Sequence, residues 1–271
     1  MKHCFINILI FVILAKYLDI KMTNETFTIN QSIVKAFTLL EAFTNEKKEW
    51  GVRELANKTG YNKSTTYRIL STLVTLNALQ QNENEKYILG SKLFELGNRV
   101  SLYESLINSA RHSLKKIATD IEETILFAVL KKNQVFYIDK VESPQGLKII
   151  TSVGSFQPLH STAIGKILLT FTSKEKQTKL LQNIDYKAYT PHTITNEKQL
   201  KNQLREVHKN GYALDLEEFE LGLICVSLPV FNKNKEFIGA ISASGPSSRF
   251  ELKKVNNYVS IIKKGIQEII F

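Results

Sequence analysis

The segment Gly51-Val52-Arg53-Glu54-Leu55-Ala56-Asn57-Lys58-Thr59-Gly60-Tyr61-Asn62-Lys63-Ser64-Thr65-Thr66-Tyr67-Arg68-Ile69-Leu70 places two apolar helical patterns on either side of one glycine. Val52, Leu55 and Ala56 recur at helical spacing, which predicts a short helix ending at Thr59. Gly60 stops it, because glycine enters the left-handed conformation without a Cβ clash. Tyr61-Asn62 completes the turn. A second helix is predicted from about Lys63 to Leu76, with Thr66, Ile69, Leu70, Leu73 and Leu76 inward and Ser64, Thr65, Tyr67, Arg68 and Ser71 outward. Two helices joined by a short glycine turn form the helix–turn–helix pattern. Amides, hydroxyls and the dipole at the start of the second helix suit a phosphate. Arg68, one turn further on, can fork onto a guanine edge or hold a phosphate.

The flanks support a nucleic-acid-reading unit. Gln31 to Phe43 places Ile33, Val34, Phe37, Leu40 and Phe43 at helical spacing. Behind the helix pair, Ala78–Gln81 and Tyr87–Leu89 read as two strands around the polar turn 82–86, a wing that offers Lys86. The expected DNA contacts are Arg53, Lys63, Ser64, Thr65, Tyr67, Arg68, Ser71 and Lys86. The whole chain has 271 residues and a net charge of +10, which draws it to polyanions. Charge alone does not locate the DNA-reading part. Gln31 to Gly90 holds eight basic and six acidic residues, a net of +2, although Asn57 to Asn77 contains Lys58, Lys63 and Arg68 and no acid.

At 43% hydrophobic and 23% charged, the composition is that of a globular chain with material for a core. Cys4 and Cys225 lie far apart, with no disulfide framework and no paired metal-ligand spacing, which fits a reducing cytoplasm. Residues 1–26 form an apolar extension with three readings. They are an over-extended start with the true one at Met22, a membrane anchor through Cys4 to Ala15, or a secretory signal. The apolar run is shorter than the ~20 residues a spanning helix needs, and membrane association is not expected.

Beyond Gly90, Ser91 to Val100 reads as a helix capped by Ser91, leading into a second over Tyr103 to Asp120. From Thr124 the period changes to two. Strands are predicted at 124–130, 134–139, 147–150, 212–215, 224–230 and 237–242. Helices are predicted at 161–171, 195–210 and 251–270. Hairpins with interspersed helices make an α+β domain on an antiparallel sheet. Ser161 is the expected N-cap of the first of these helices, so the amides of Thr162, Ala163 and Ile164 open toward an anion. Asp215, Cys225, Ser242 and Ser244 lie on strands, the two serines on one face. Ser161, His160 and Asp215 include the residue types of a nucleophilic triad. There is no G-x-S-x-G elbow and no glycine-rich phosphate loop, so an enzyme is not expected, nor a cofactor or metal.

These motifs together resemble the IclR family of bacterial transcription regulators. The resemblance rests on Ser32 to Leu40, Leu55-Ala56, Gly60, Lys63 to Leu70 and Tyr87 to Gly90. It continues through Glu123-Thr124, Gly154 to Lys166, Thr190 to Ile194, Gly211 to Asp215, Glu217-Glu218, Gly222 to Cys225, Leu228 to Phe231 and Ile241 to Pro246. Gly51 stands where the family often has a Ser or Thr cap, and Thr66 replaces a more usual Val. The resemblance implies a winged helix–turn–helix over 27–90, linker and connecting helices over 91–120, and a GAF-like effector-binding domain over 121–271. It places the effector among Ile149, Thr162, Ala163, Ile164, Asp215, Leu223, Cys225, Ser242 and Ser244. It also implies a homo-oligomer, a dimer or dimer of dimers, that binds double-stranded operator DNA. Repression is the commoner family habit. The effector expected is a small carboxylate-bearing metabolite.

Overall fold

The computed structural model describes residues 29–44, 47–101, 103–145 and 149–269. The N-terminal extension and the first half of the strand expected at 147–150 lie outside the described residues; Ile149 and Ile150 belong to no strand. The chain divides into two compact units, residues 1–100 and 101–271.

In the first unit, α1 (Gln31–Glu41), α2 (Val52–Thr59) and α3 (Lys63–Thr75) precede a hairpin of β1 (Leu79–Gln81) and β2 (Tyr87–Leu89), and α4 (Ser91–Gly97) follows. The helices close on Leu39, Leu55, Leu70, Leu73 and Leu79, each under a tenth exposed. Gly60 stops α2 at φ +73°, in the left-handed region that glycine tolerates. Gly51 begins α2 without a capping side chain. Its amide instead donates to the Glu54 carboxylate at 2.8 Å, which supplies half of a capping box. The wing has a third partner that the sequence reading missed. Trp50 pairs with Tyr87 through reciprocal backbone bonds of 3.0 and 2.8 Å, and its indole donates to the Ala42 carbonyl at 3.1 Å. The expected Ser91 cap is not formed: α4 starts at Ser91, and Gly90 occupies the cap position.

The second unit opens with α5 (Glu104–Ile121) and builds a six-stranded antiparallel sheet. Its strands are β3 (Thr124–Lys131), β4 (Gln134–Val141), β5 (Phe156–Gln157), β6 (Ala213–Leu216), β7 (Leu223–Phe231) and β8 (Phe237–Pro246), in spatial order β5-β4-β3-β8-β7-β6. Alternation along each strand separates two cores. Ile125, Phe127, Val226, Ile241 and Ala243 face α5 and the closing helix α9 (Val255–Gln267). Leu126, Ala128, Tyr137, Cys225 and Ala240 face α6 (Ala163–Phe171), α7 (Lys174–Gln182) and α8 (Glu197–Asn210). A turn of 3-10 helix at Leu252–Lys254 precedes α9, so the closing α-helix starts four residues later than the sequence suggested. Helix α7 was not anticipated, since only Leu180 and Leu181 of its polar sequence are buried. Among the described residues, no helix is long and apolar enough to cross a membrane.

Candidate functional site

Each unit holds one candidate surface. In the first, Asn62 caps α3: its side-chain oxygen accepts from the Thr65 amide at 2.8 Å and from the Ser64 hydroxyl at 3.0 Å. This fixes the start of the helix and turns Ser64 toward its own cap. Thr66 is fully buried, its hydroxyl donating to the Asn62 carbonyl at 3.1 Å, so an apolar residue there would lose that bond. Lys63, Ser64, Tyr67 and Arg68 are exposed, whereas Thr65 and Ser71 are half-buried. Thr65, Tyr67, Arg68 and Ser71 share a groove of about 680 Å³ between α1 and α3 with Ile33, Ala36 and Leu76. Arg53 on α2 and Lys86 in the wing turn are exposed and lie outside that groove. The wing turn is held by the Asn82 carboxamide, which accepts from the amides of Asn84 and Lys86 at 3.1 and 3.0 Å.

In the second unit, a cavity of about 20 Å³ lies between the sheet and the start of α6. That volume admits about one water molecule. All nine positions expected to surround an effector line it: Ile149, Thr162, Ala163, Ile164, Asp215, Leu223, Cys225, Ser242 and Ser244. Strand register explains the gathering. Asp215 pairs with Cys225 and Cys225 with Ser244, while Ser242 pairs with Leu126, so residues from four strands share one face of the floor. The Ser242 and Ser244 hydroxyls are 3.3 Å apart. Leu126, Tyr137, Thr151, Gln157 and Phe219 also line the cavity and were missed. Leu126 and Tyr137 carry the period-two signal of their strands. Nothing in sequence announces that β3 pairs with β8, more than a hundred residues away.

The helix that faces the cavity starts one residue later than expected. Thr162, not Ser161, is its cap, extended at φ −120° and ψ 144°. The Thr162 hydroxyl accepts from the Gly165 amide at 3.1 Å and donates to the Pro158 carbonyl at 2.8 Å. Gly165 is required by close approach: a Cβ there would sit 2.3 Å from the Leu159 carbonyl oxygen. One turn on, Lys166 is fully buried, its ammonium held by Glu218 at 2.5 Å, Gln203 at 2.6 Å and the Leu214 carbonyl at 2.8 Å. Glu218 in turn donates its amide to the Asp215 carboxylate at 2.7 Å, which ties α6 to the turn after β6. Thr193 secures the same turn, its hydroxyl donating to the Glu218 carbonyl at 2.6 Å.

Burial sets the electrostatics. The Asp215 carboxyl is pushed up to about 7, chiefly by burial; the Glu218 amide bond opposes this, the Glu218 charge adds to it and Lys166 offsets it. Burial also drives the Cys225 thiol well above its ordinary range and raises the Tyr137 phenol. A thiol so placed is not a nucleophile at neutral pH. His160 lies outside the cavity lining. Its Nε2 donates to the Lys187 carbonyl at 3.0 Å, and burial lowers its pKa. Among the described residues, the Ser161 hydroxyl and His160 Nδ1 have no hydrogen-bond partner, so these two and Asp215 do not form a hydrogen-bonded triad. His192 and His208 are exposed. Among the described residues, no group of three or more His, Cys, Asp or Glu side chains could hold a metal ion.

Each unit matches a known family model. Residues 32–83 match the IclR helix-turn-helix domain model, and residues 100–270 match the model of the bacterial transcriptional regulator IclR C-terminal domain. The chain is 36% identical over 239 residues to the HTH-type transcriptional regulator KdgR of Escherichia coli, covering 88% of this chain and 90% of that protein. It is 30% identical over 242 residues to the transcriptional repressor IclR of Escherichia coli, covering 88% of each. The crystal structure of an IclR homolog from Microbacterium hydrocarbonoxydans, complexed with 4-hydroxybenzoate, shares the fold at a TM-score of 0.76 and 20% identity, covering 88% of this chain and 97% of that one. A helix–turn–helix unit followed by an antiparallel-sheet effector unit, matched by both family models, makes this chain a member of the IclR family of DNA-binding transcriptional regulators, which are not enzymes.

Proposed function

We propose that the protein is a cytoplasmic repressor whose operator affinity is set by a small carboxylate-bearing metabolite bound between α6 and the sheet. The observation that carries this reading is that the nine positions among which the family resemblance places an effector all line one cavity. Ser242 and Ser244 supply hydroxyls, and the first amides of α6 suit a carboxylate. Asp215 accepts from a ligand hydroxyl or amine, or donates once protonated. The cavity admits about one water, so a metabolite enters by moving the wall made by Ile149, Thr151 and Phe219. Similarity to a protein named a repressor supports the sign. The fold-mate bound to 4-hydroxybenzoate, itself a carboxylate, supports the ligand class.

Arg53, Lys63, Ser64, Thr65, Tyr67, Arg68, Ser71 and Lys86 are the proposed DNA contacts, with α3 in the major groove and one unit per half-site. Two units per operator require a dimer. Ile33 and Phe37 on α1, 57% and 62% exposed, and Phe94 and Leu96 on α4, 73% and 50% exposed, offer apolar surface for it. Coupling between ligand and operator of about 1–3 kcal/mol changes affinity roughly 5–150-fold. The double variant Ser242→Ala/Ser244→Ala tests the pocket in a cellular reporter assay. It retains operator binding and loses the response to the inducing metabolite. A retained response places the ligand elsewhere.

A further inference from the structure

The floor of the cavity continues past its lining into a residue with a different chemistry. Ser242 pairs with Leu126, and Leu126 pairs with Lys140 on β4, so Lys140 stands in the same cross-strand row as two cavity-lining residues. Directly opposed side chains on one sheet face lie about 4.5–5.5 Å apart at Cβ. The Lys140 side chain is 12% exposed. Its ammonium donates to the carbonyl of Ile149, a cavity-wall residue, at 2.7 Å, and pairs with Glu142 at 3.0 Å.

The charge inventory gives this placement its meaning. Among the described residues, the only formally charged side chain in the cavity wall is Asp215, and it is an acid. A desolvated carboxylate is costly without charge-assisted hydrogen bonds. Lys166 is already engaged by a carboxylate, an amide oxygen and a backbone carbonyl. Lys140 is differently held. One of its partners is a neutral carbonyl on a wall that moves to admit a ligand. The other, Glu142, is 46% exposed, so that pair is weak. The four-carbon stem of lysine lets the ammonium turn without moving the backbone.

We infer that Lys140 is the cation that receives the ligand's carboxylate, its ammonium passing from the Ile149 carbonyl to the ligand as the wall opens. This rests on the acidic-metabolite reading above and adds a binding residue to it. The same exchange frees the Ile149 carbonyl, so ligand entry and wall movement become one event. Glu142 competes with the ligand for the ammonium.

The test uses the full chain and three probe pairs: acetate and acetamide, gluconate and gluconamide, 4-hydroxybenzoate and 4-hydroxybenzamide. Calorimetric titration of wild type is expected to favour an acid over its amide. Lys140→Met is expected to weaken the acid at least ten-fold and leave the amide unchanged. Lys140→Arg restores the preference, and Glu142→Gln tightens the acid several-fold. Equal acid affinity in wild type and Lys140→Met overturns the role of Lys140 alone. Failure of all three acids to bind wild type contradicts the acidic-metabolite reading itself. So does acid binding that is indifferent to Ser242→Ala/Ser244→Ala. A Lys140→Met chain that does not fold leaves the Arg and Gln variants to decide: acid affinity unmoved by Glu142→Gln, with the preference lost in Lys140→Arg, contradicts the exchange.

Discussion

Asp215 is buried beside a carboxylate and a lysine that are already paired, and its carboxyl is pushed from an ordinary 3.8 up to about 7. Between pH 4 and 7 the folded chain therefore holds a proton that the unfolded chain releases. The group's contribution to stability is complete below its unfolded pKa and is lost as pH rises through 7, at up to about 1.4 kcal/mol per pH unit. Asp215→Asn removes that slope. Chemical denaturation from pH 4 to 8 is expected to show the variant gaining stability relative to wild type across the window. His160 acts with the opposite sign, since its lowered pKa costs stability as pH falls below about 6.5. It is present in both proteins, so the difference between their curves isolates Asp215. Parallel curves would mean that Asp215 is ionised in the folded protein at pH 5. The role of Asp215 in lining the cavity was legible in its strand position and family motif. Its perturbation was not, because that comes chiefly from burial, which only the packing of the folded chain sets.

At the scale of elements, the Lys166–Glu218 pair decides where α6 sits. It joins the helix whose first turn faces the cavity to the turn that carries Phe219. The side chains are 0% and 6% exposed, so neither charge is screened by water. Removing one partner leaves the other uncompensated, whereas replacing both with neutral groups is nearly neutral. Lys166→Met is expected to cost about 3–5 kcal/mol in urea denaturation, and Lys166→Met/Glu218→Gln to recover most of it. A double variant no more stable than the single one would show that Gln203 and the Leu214 carbonyl, not Glu218, hold the ammonium. Sequence reading found both residues as family motif positions but assigned neither a role. It located α1, α2, α3 and the wing closely, because turn residues and apolar periodicity mark each of them. It missed α7 and β5. The first has little apolar face to reveal a period, and the second spans only two residues. It placed the α6 cap one residue early because serine and threonine are adjacent there, and only the backbone shows which one is extended.

At the scale of the whole molecule, the excess positive charge does not mark the DNA-reading unit, which carries a net of +2 over Gln31 to Gly90. In the proposed reading its function rests on a few placed groups on α3 and not on a general polycationic face. Lys63 and Arg68 are exposed and form no ion pair among the described residues, which leaves both available to a polyanion. In the proposed reading, the cavity of the second unit makes that binding conditional on a small molecule. Ligand-controlled, sequence-specific DNA recognition is tested by genome-wide footprinting of wild type and Arg68→Ala in the organism that carries the gene. Wild type is expected to occupy a few discrete, pseudo-palindromic sites. Arg68→Ala is expected to lose about 1–3 kcal/mol at those sites and to relax one position of the sequence. Binding without discrete sites, or an occupancy pattern that Arg68→Ala leaves unchanged, would contradict it.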